Sequence, residues 1–326
     1  MRKELSQIEM SSFRRYGFAF VLLFLSVFLI YSNTFNATWH FDDYPNIVHN
    51  PYLHIQELNA ESLIQSLFAH PNGQGKKMYR PVACVSFAIN WYLGQENVYG
   101  YHLVNILIHF FTSFILFLAT QNLLSTPNAE EKYAGRKYFI SLLTAVLWAV
   151  HPIQTQAVTY IVQRMASLAA MFYILGIYFY LKFRFNDFYT KRLFFLSLCV
   201  VSFALALGSK ENAITFPMAL ILMEVIFFQK AEQKKTGKIL AGAVFICLLS
   251  VILITFQISS PFSFLEAYEN RPFTLSQRLM TEARIIVFYI SLLFYPAAHR
   301  FSLVHDVEIS TALYKPLTTF PSVMLL

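Results

Sequence analysis

Eight apolar runs, each close to the length of a bilayer-crossing helix, constrain this chain more than any other feature. They cover residues 16–32, 101–124, 138–158, 165–183, 193–209, 213–229, 238–258 and 280–298, and a ninth opens near 320. A spanning helix needs roughly 20 mostly apolar residues, and lipid offers its backbone no solvent to bond. The expected fold class is therefore an all-α polytopic membrane protein. Composition agrees, with 56% hydrophobic and 13% charged residues, where soluble domains carry about 25% charged. That balance excludes a soluble enzyme, a disulfide-stapled secreted domain and a disordered tail. The three cysteines, Cys84, Cys199 and Cys247, form no CxxC pair and read as small apolar fillers.

The formal charge of +7 comes with no nucleic-acid motif, so no nucleic-acid partner is expected. It reflects Lys and Arg on cytoplasmic loops. With the N-terminus inside, the inner segments up to residue 258 hold fifteen Lys/Arg, among them Arg14, Arg15, Lys132, Lys182, Arg192 and Lys234. The outer segments hold seven up to Arg278, spread over far more chain. The positive-inside rule supports that orientation. Beyond residue 258 the charges are too sparse to say whether 280–298 crosses the membrane. The first run lacks a small-residue cleavage site and reads as an uncleaved anchor.

Residues 33–100 form one long extracytoplasmic loop within a single membrane domain spanning 1–326. Two amphipathic stretches in it, Glu61–Phe68 and Arg80–Leu93, are expected to lie as short interfacial helices. Polar residues in or beside the spans mark either interhelical hydrogen bonds or a hydrated functional cavity. His102, Asn105, His109 and Ser113 share one helix face, within an arc of about 80°. His151-Pro152 breaks the third run, and Arg164 follows Gln156, Thr159 and Gln163. Gly208-Ser209-Lys210-Glu211-Asn212 makes a tight outer turn. Asp42-Asp43 stands among aromatics and proline just after the first span. A partly desolvated carboxylate in such a place suits a general base. Paired acids also suit a divalent metal, but no third ligand is evident, and a metal is not favoured.

Taken in order, the acidic pair, Tyr79-Arg80-Pro81, Tyr101-His102-x-x-Asn105-x-x-x-His109, His151-Pro152-x-x-Thr155-Gln156-Ala157, Val162-Gln163-Arg164 and Ser209-Lys210-Glu211-Asn212-Ala213-Ile214 with Pro217 resemble one family. It is the transmembrane and tetratricopeptide-repeat O-mannosyltransferases of the GT-C glycosyltransferase superfamily. The likeness covers about residues 14–320. It implies a GT-C-type helix bundle that takes a sugar, typically mannose, from a polyprenyl-phosphate carrier and passes it to Ser or Thr of an exported protein. It also implies further spans leading into tetratricopeptide repeats; the sequence carries no such repeat, so acceptor selection is left open. No cofactor is expected beyond the lipid-linked donor, which is a substrate. The expected setting is a multi-pass protein in a bacterial inner membrane in preference to the endoplasmic reticulum.

A polyprenyl-phosphate leaving group needs no general acid. The reaction requires a base for the acceptor hydroxyl and cations for the departing phosphate. Asp42 or Asp43 can be that base, and analogy with related protein mannosyltransferases favours Asp42, with Asp43 orienting it. Arg80, Arg164 and Lys210 are candidates for the phosphate, Glu211 for holding Lys210, and His102, Asn105 and His151 for the sugar pocket. Single displacement predicts inversion at the anomeric carbon. Two other classes compete: a transporter or flippase of lipid-linked saccharide, for which no internal symmetry is seen, and a non-catalytic membrane scaffold, for which Asp42, Arg80 and Lys210 would each be dispensable.

Overall fold

Lipid-compatible runs fold here as helices joined by single-turn 3-10 segments. The computed structural model describes residues 2–71, 78–228, 268, 271–303 and 305–326, with only the backbone of residues 2–12. Among the described residues there is no strand. The chain divides into two compact units, Met1–Lys238 and Ile239–Leu326.

In the first unit the helices are α1 (Arg2–Ile30), α2 (Ala60–Ser66), α3 (Pro81–Gly94), α4 (Val98–Leu123), α5 (Glu130–Tyr133), α6 (Lys137–Val150), α7 (Thr155–Thr159), α8 (Arg164–Phe185), α9 (Tyr189–Leu207) and α10 (Phe216–Met223). Five stretches among the described residues are long and apolar enough to cross a membrane: Phe13–Ile30, Val98–Leu123, Ile161–Phe185, Tyr189–Leu207 and Glu211–Phe228. A sixth, Lys137–Val150 with Pro152–Thr159, is bent by 51° at its break. The cause is Pro152: His151 before it is extended, with ψ 128°, as the steric demand of a following proline requires. The protein is thus an all-α, multi-pass membrane protein. The run at 238–258 lies outside the described residues, as does Cys247; Cys84 and Cys199 are buried free thiols.

Helix α4 is the hub, packing against α1, α6 and α8, while α8 packs along α9. Small residues permit the close approaches, as they do between membrane helices generally. Ala19 on α1 and Ala145 and Ala149 on α6 are buried beside Ile106, Phe110 and Phe117 of α4. At Gly176 of α8 an added Cβ would lie 2.7 Å from the Phe216 ring of α10, so the crossing there depends on glycine. The long loop is structured over its described residues. Its helix α3 does not float on the surface: Ala83, Cys84, Phe87, Ala88 and Trp91 are buried in a core shared with Ile47, Leu53, Tyr101 and Ile161.

Contacts sort the helix ends into two sets. At one end Tyr138 Oη donates to the Arg15 carbonyl at 2.8 Å and Tyr16 Oη to Gln121 at 3.1 Å. The other end gathers the C-terminal ends of α1, α6 and α9 with the N-terminal ends of α3, α4 and α8. The candidate site residues lie there.

In the second unit, α11 (Leu275–Phe294) starts with a Thr274–Gln277 capping box and packs against α12 (Thr319–Leu325). Arg278, Glu282 and Arg284 make the first half of α11 amphipathic rather than uniformly apolar. A cleft of about 1020 Å³ runs beside it, lined by Arg278, Arg284, Phe288, His305 and Asp306 among others.

Candidate active site

The acidic pair divides into one enclosed and one open carboxylate. Asp43 is fully buried, and both of its oxygens are engaged. Oδ2 accepts from the His40 N–H at 2.9 Å and Oδ1 from the Val162 N–H at 2.7 Å. The second bond ties the loop after α1 to the 3-10 turn Ile161–Gln163 that leads into α8. Burial pushes the Asp43 carboxyl up to about 6, against the pull of the two N–H donors and nearby His40. Asp42 is exposed, and its side chain makes no hydrogen bond among the described residues. Its backbone is nevertheless fixed: the N–H donates to Tyr160 Oη and the carbonyl accepts from Asn46 Nδ2, both at 2.8 Å.

Arg80 stands before Pro81, the first residue of α3, in a left-handed conformation with φ 41°. Its Nε and Nη2 grip the Glu211 carboxylate, each at 2.9 Å, and Nη1 meets Met165 Sδ at 3.1 Å. The guanidinium also lies 4.9 Å from the Tyr79 ring centre. Glu211 is brought there by the turn after α9, which the Val82 N–H clips by donating to the Gly208 carbonyl at 2.9 Å. A Cβ on Gly208 would sit 2.9 Å from Val82 Cγ2, so this approach excludes a larger residue. Lys210 is half-buried next to Glu211, and burial together with repulsion from Arg80 lowers its pKa, with Glu211 opposing. Glu211 thus bonds Arg80, with Lys210 as its chain neighbour. Burial raises the Tyr79 phenol; Arg80 opposes that shift, while Glu211 and Asp42 both add to it. Asp43 meets Val162 and Arg80 meets Met165, three residues apart around the start of α8, so the acidic loop and the Arg80 group converge there.

Beneath this lies the stripe of α4. His102, Asn105, His109 and Ser113 are all buried. Arg164 is completely enclosed: Nε donates to Asn105 Oδ1 at 2.7 Å, Nη1 to the Ser86 carbonyl at 3.1 Å and Nη2 to the Tyr101 carbonyl at 3.0 Å. Phe87 covers it at 4.6 Å. Asn105 Nδ2 in turn donates to the Val158 and Ile161 carbonyls at 3.3 Å. His102 Nε2 lies 3.0 Å from the Ala37 carbonyl. A carbonyl only accepts, so Nε2 carries the proton and Nδ1 is left as a buried acceptor without a partner among the described residues. His109 bonds the Ala149 carbonyl at 2.8 Å and stacks on Trp148. His151 Nδ1 accepts from the Ile153 N–H at 3.1 Å and so caps the turn at the α6–α7 kink.

The geometry thus brings together Asp42, Asp43, Arg80, Lys210 and Glu211. It gives Arg164 and Asn105 a different place from the one expected, below the cluster, as a clamp between α3, α4 and α8. The reason is physical. A five-donor fork inside a helix bundle finds carbonyl acceptors on every side and is enclosed by them. Glu211 holds Arg80, not Lys210 as expected. Sequence reasoning passed over Tyr160, Tyr79, Met165 and the Val162 N–H. Tyr79 was signalled by the Tyr79-Arg80-Pro81 motif, whereas a backbone donor carries no sequence signal. Among the described residues no three His, Cys, Asp or Glu side chains are grouped to hold a metal ion.

No family model matches the chain, and no solved structure matches it. Among curated proteins, human Protein O-mannosyl-transferase TMTC4 is 32% identical over 164 residues, 47% of this chain and 21% of its own length. Protein O-mannosyl-transferase TMTC2 of Mus musculus is 28% identical over 239 residues, 70% and 26% respectively. Protein O-mannosyl-transferase Tmtc1 of Drosophila melanogaster is 27% identical over 219 residues, 67% and 24%. The matched part spans about a quarter of the length of these relatives.

Proposed function

We propose, from the kinship of this chain with the TMTC protein O-mannosyl-transferases, that it forms the catalytic membrane part of a glycosyltransferase. It moves a sugar, mannose by that kinship, from a polyprenyl-phosphate carrier to a Ser or Thr hydroxyl of an exported protein. The observation that carries this reading is the open Asp42 carboxylate, fixed through its backbone on a loop latched to Val162, while Arg80 meets Met165 three residues further along the same stretch. The acceptor oxygen attacks the anomeric carbon while the bond from that carbon to the phosphate oxygen breaks. The hydroxyl proton passes to Asp42, and the electron pair leaves with the phosphate. Arg80 and Lys210 meet the growing phosphate charge, and Glu211 keeps the Arg80 fork aimed until the donor arrives. Asp43 positions Asp42 by latching the loop to α8. Arg164 and Asn105 hold the floor on which both loops rest, and His102 and His151 line it. One displacement inverts the anomeric centre.

The test is transfer of labelled mannose from polyprenyl-phosphate mannose to a Ser/Thr peptide by the protein in nanodiscs. Transfer that is lost in Arg80→Ala and Lys210→Ala, with donor affinity lowered in both, supports the assignment. Transfer unchanged in both removes the cations from the mechanism.

The Lys/Arg asymmetry supports a cytoplasmic N-terminus, and with it an acidic pair and Lys210 that face outward. Pro45→Cys and Asn212→Cys, both at exposed positions, should each be labelled by a membrane-impermeant thiol reagent in intact cells. Labelling of one alone would break the shared-site topology. The relatives above come from animals and lend the bacterial inner membrane no support.

The burial of Asp43 predicts a pH signature. Its folded value, about 6, lies above the ordinary carboxylate range. The folded state therefore binds the proton more readily than the unfolded chain. The stability Asp43 contributes is greatest near pH 4 and is lost as pH rises through about 6. Asp43→Asn should remove that slope, so its melting curve against pH diverges from wild type between about pH 4 and 7. Parallel curves would place the carboxyl in water.

A further inference from the structure

The acidic pair is preceded by a residue that the mechanism above does not use. Phe41 has φ 35°, a left-handed conformation that a bulky side chain rarely adopts. Its ring is 61% exposed and makes no ring contact among the described residues. The conformation is imposed from both sides. The Asp43 N–H donates to the His40 carbonyl at 2.8 Å while the His40 N–H donates back to Asp43 Oδ2. The Tyr44 N–H donates to the Phe41 carbonyl at 3.2 Å, and Tyr160 holds the Asp42 N–H. Glycine or asparagine would meet this geometry at lower cost. Folding alone thus gives little reason for a phenylalanine here: it gains little burial and bears strain. Strain of this kind collects at working sites.

We propose that Phe41 is the platform on which the transferred pyranose packs, setting the anomeric carbon beside Asp42. This inference rests on the transferase reading. The apolar face of a pyranose matches an exposed ring, and its hydroxyls find the polar groups next door. As the carrier bond breaks, positive charge grows on the anomeric carbon, as in glycosyl transfer generally. An aromatic face stabilises a cation placed over it. The rival occupant is lipid, since aromatic rings also anchor at membrane surfaces. A ring sunk in hydrocarbon would carry the adjoining Asp42 carboxylate toward it, at a cost the sugar does not impose.

The experiment uses the full chain in nanodiscs, with polyprenyl-phosphate mannose and sugar-free polyprenyl phosphate as competing probes. Phe41→Ala should lower turnover by about 2–30-fold and shrink the preference for the sugar-bearing carrier. Phe41→Gly should lose as much while melting no lower than wild type, because the strain is relieved. Phe41→Tyr should recover most of the loss. Wild-type turnover and preference in Phe41→Ala would overturn the proposal. Equal weakening toward both carriers would identify a lipid contact, and a Phe41→Gly loss matched by a fall in melting temperature would make the residue structural. A wild-type protein that prefers the sugar-bearing carrier yet transfers nothing would overturn the transferase reading and leave the platform standing. One that prefers neither carrier overturns both.

Discussion

Asp42→Asn should reduce sugar transfer by about 10²–10⁴-fold, the range a positioned general base supplies, while the protein folds and binds donor as before. The side chain makes no hydrogen bond among the described residues, and the loop is held through the Asp42 backbone, so the amide disturbs no packing. Asn cannot take a proton at neutral pH, which isolates the chemical step. Asp43→Asn makes the control. It retains one oxygen for two backbone donors, so it should loosen the loop, lower the melting temperature and cost turnover as a consequence. The readouts are turnover, donor affinity and melting for both variants. Full turnover in Asp42→Asn with a large loss in Asp43→Asn at unchanged stability would move the base by one residue. Full turnover in both would remove the pair from the mechanism.

Arg164→Met should destabilise the membrane domain by about 3–5 kcal/mol, as removal of one member of a buried charged network does. The substitution leaves Asn105 Oδ1 and the Ser86 and Tyr101 carbonyls buried without their donor. Each such orphan costs about 1–3 kcal/mol. Arg164→Lys keeps the charge but satisfies fewer of the three directions, because an ammonium is a point donor on a flexible stem. Its loss should be smaller than that of Arg164→Met. Thermal unfolding in nanodiscs measures both. A phosphate ligand would behave oppositely: the variants would melt like wild type and bind donor poorly.

These two residues show how far the sequence could be read. The fold class was legible because lipid imposes a length and an apolarity on each crossing segment, and Val98–Leu123 or Ile161–Phe185 display both without reference to any neighbour. Asp42, Arg80 and Lys210 were legible as charged residues in places where charge needs a reason. What each does depends on partners that sequence spacing does not encode. Asp42 and Asp43 are adjacent and alike in composition, yet one is open and the other bonded to residue 162. Arg164 and Arg80 both stand at the N-terminal start of a helix. Arg80 reaches Glu211 at a surface where 67% of that carboxylate side chain is exposed, whereas Arg164 faces inward onto carbonyls. Helix rotation about its own axis decides this, and a pattern read by eye fixes such rotation only coarsely. Helix α3 shows the same limit. It reads as an interfacial helix from its amphipathic pattern; Ile89, Tyr92 and Leu93 are exposed, and only its packing shows Phe87 and Trp91 in the core.

The Arg80–Glu211 pair joins residues 131 positions apart in the chain, and the Asp43–Val162 latch joins residues 119 apart. Considered as a schedule, those separations are delays. Chains are synthesised at about 5–20 residues per second, so the acidic loop precedes the turn that holds it by about 6–24 s, and Arg80 precedes Glu211 by about 7–26 s. Throughout that interval a strained loop bearing two carboxylates and a guanidinium without its partner is already outside the first span. The site closes only when α8 and α9 have entered the membrane beside α4. Insertion of the late helices is thus the step that commits the early ones, and a defect in α9 would be felt first as a failure of the loop that follows α1.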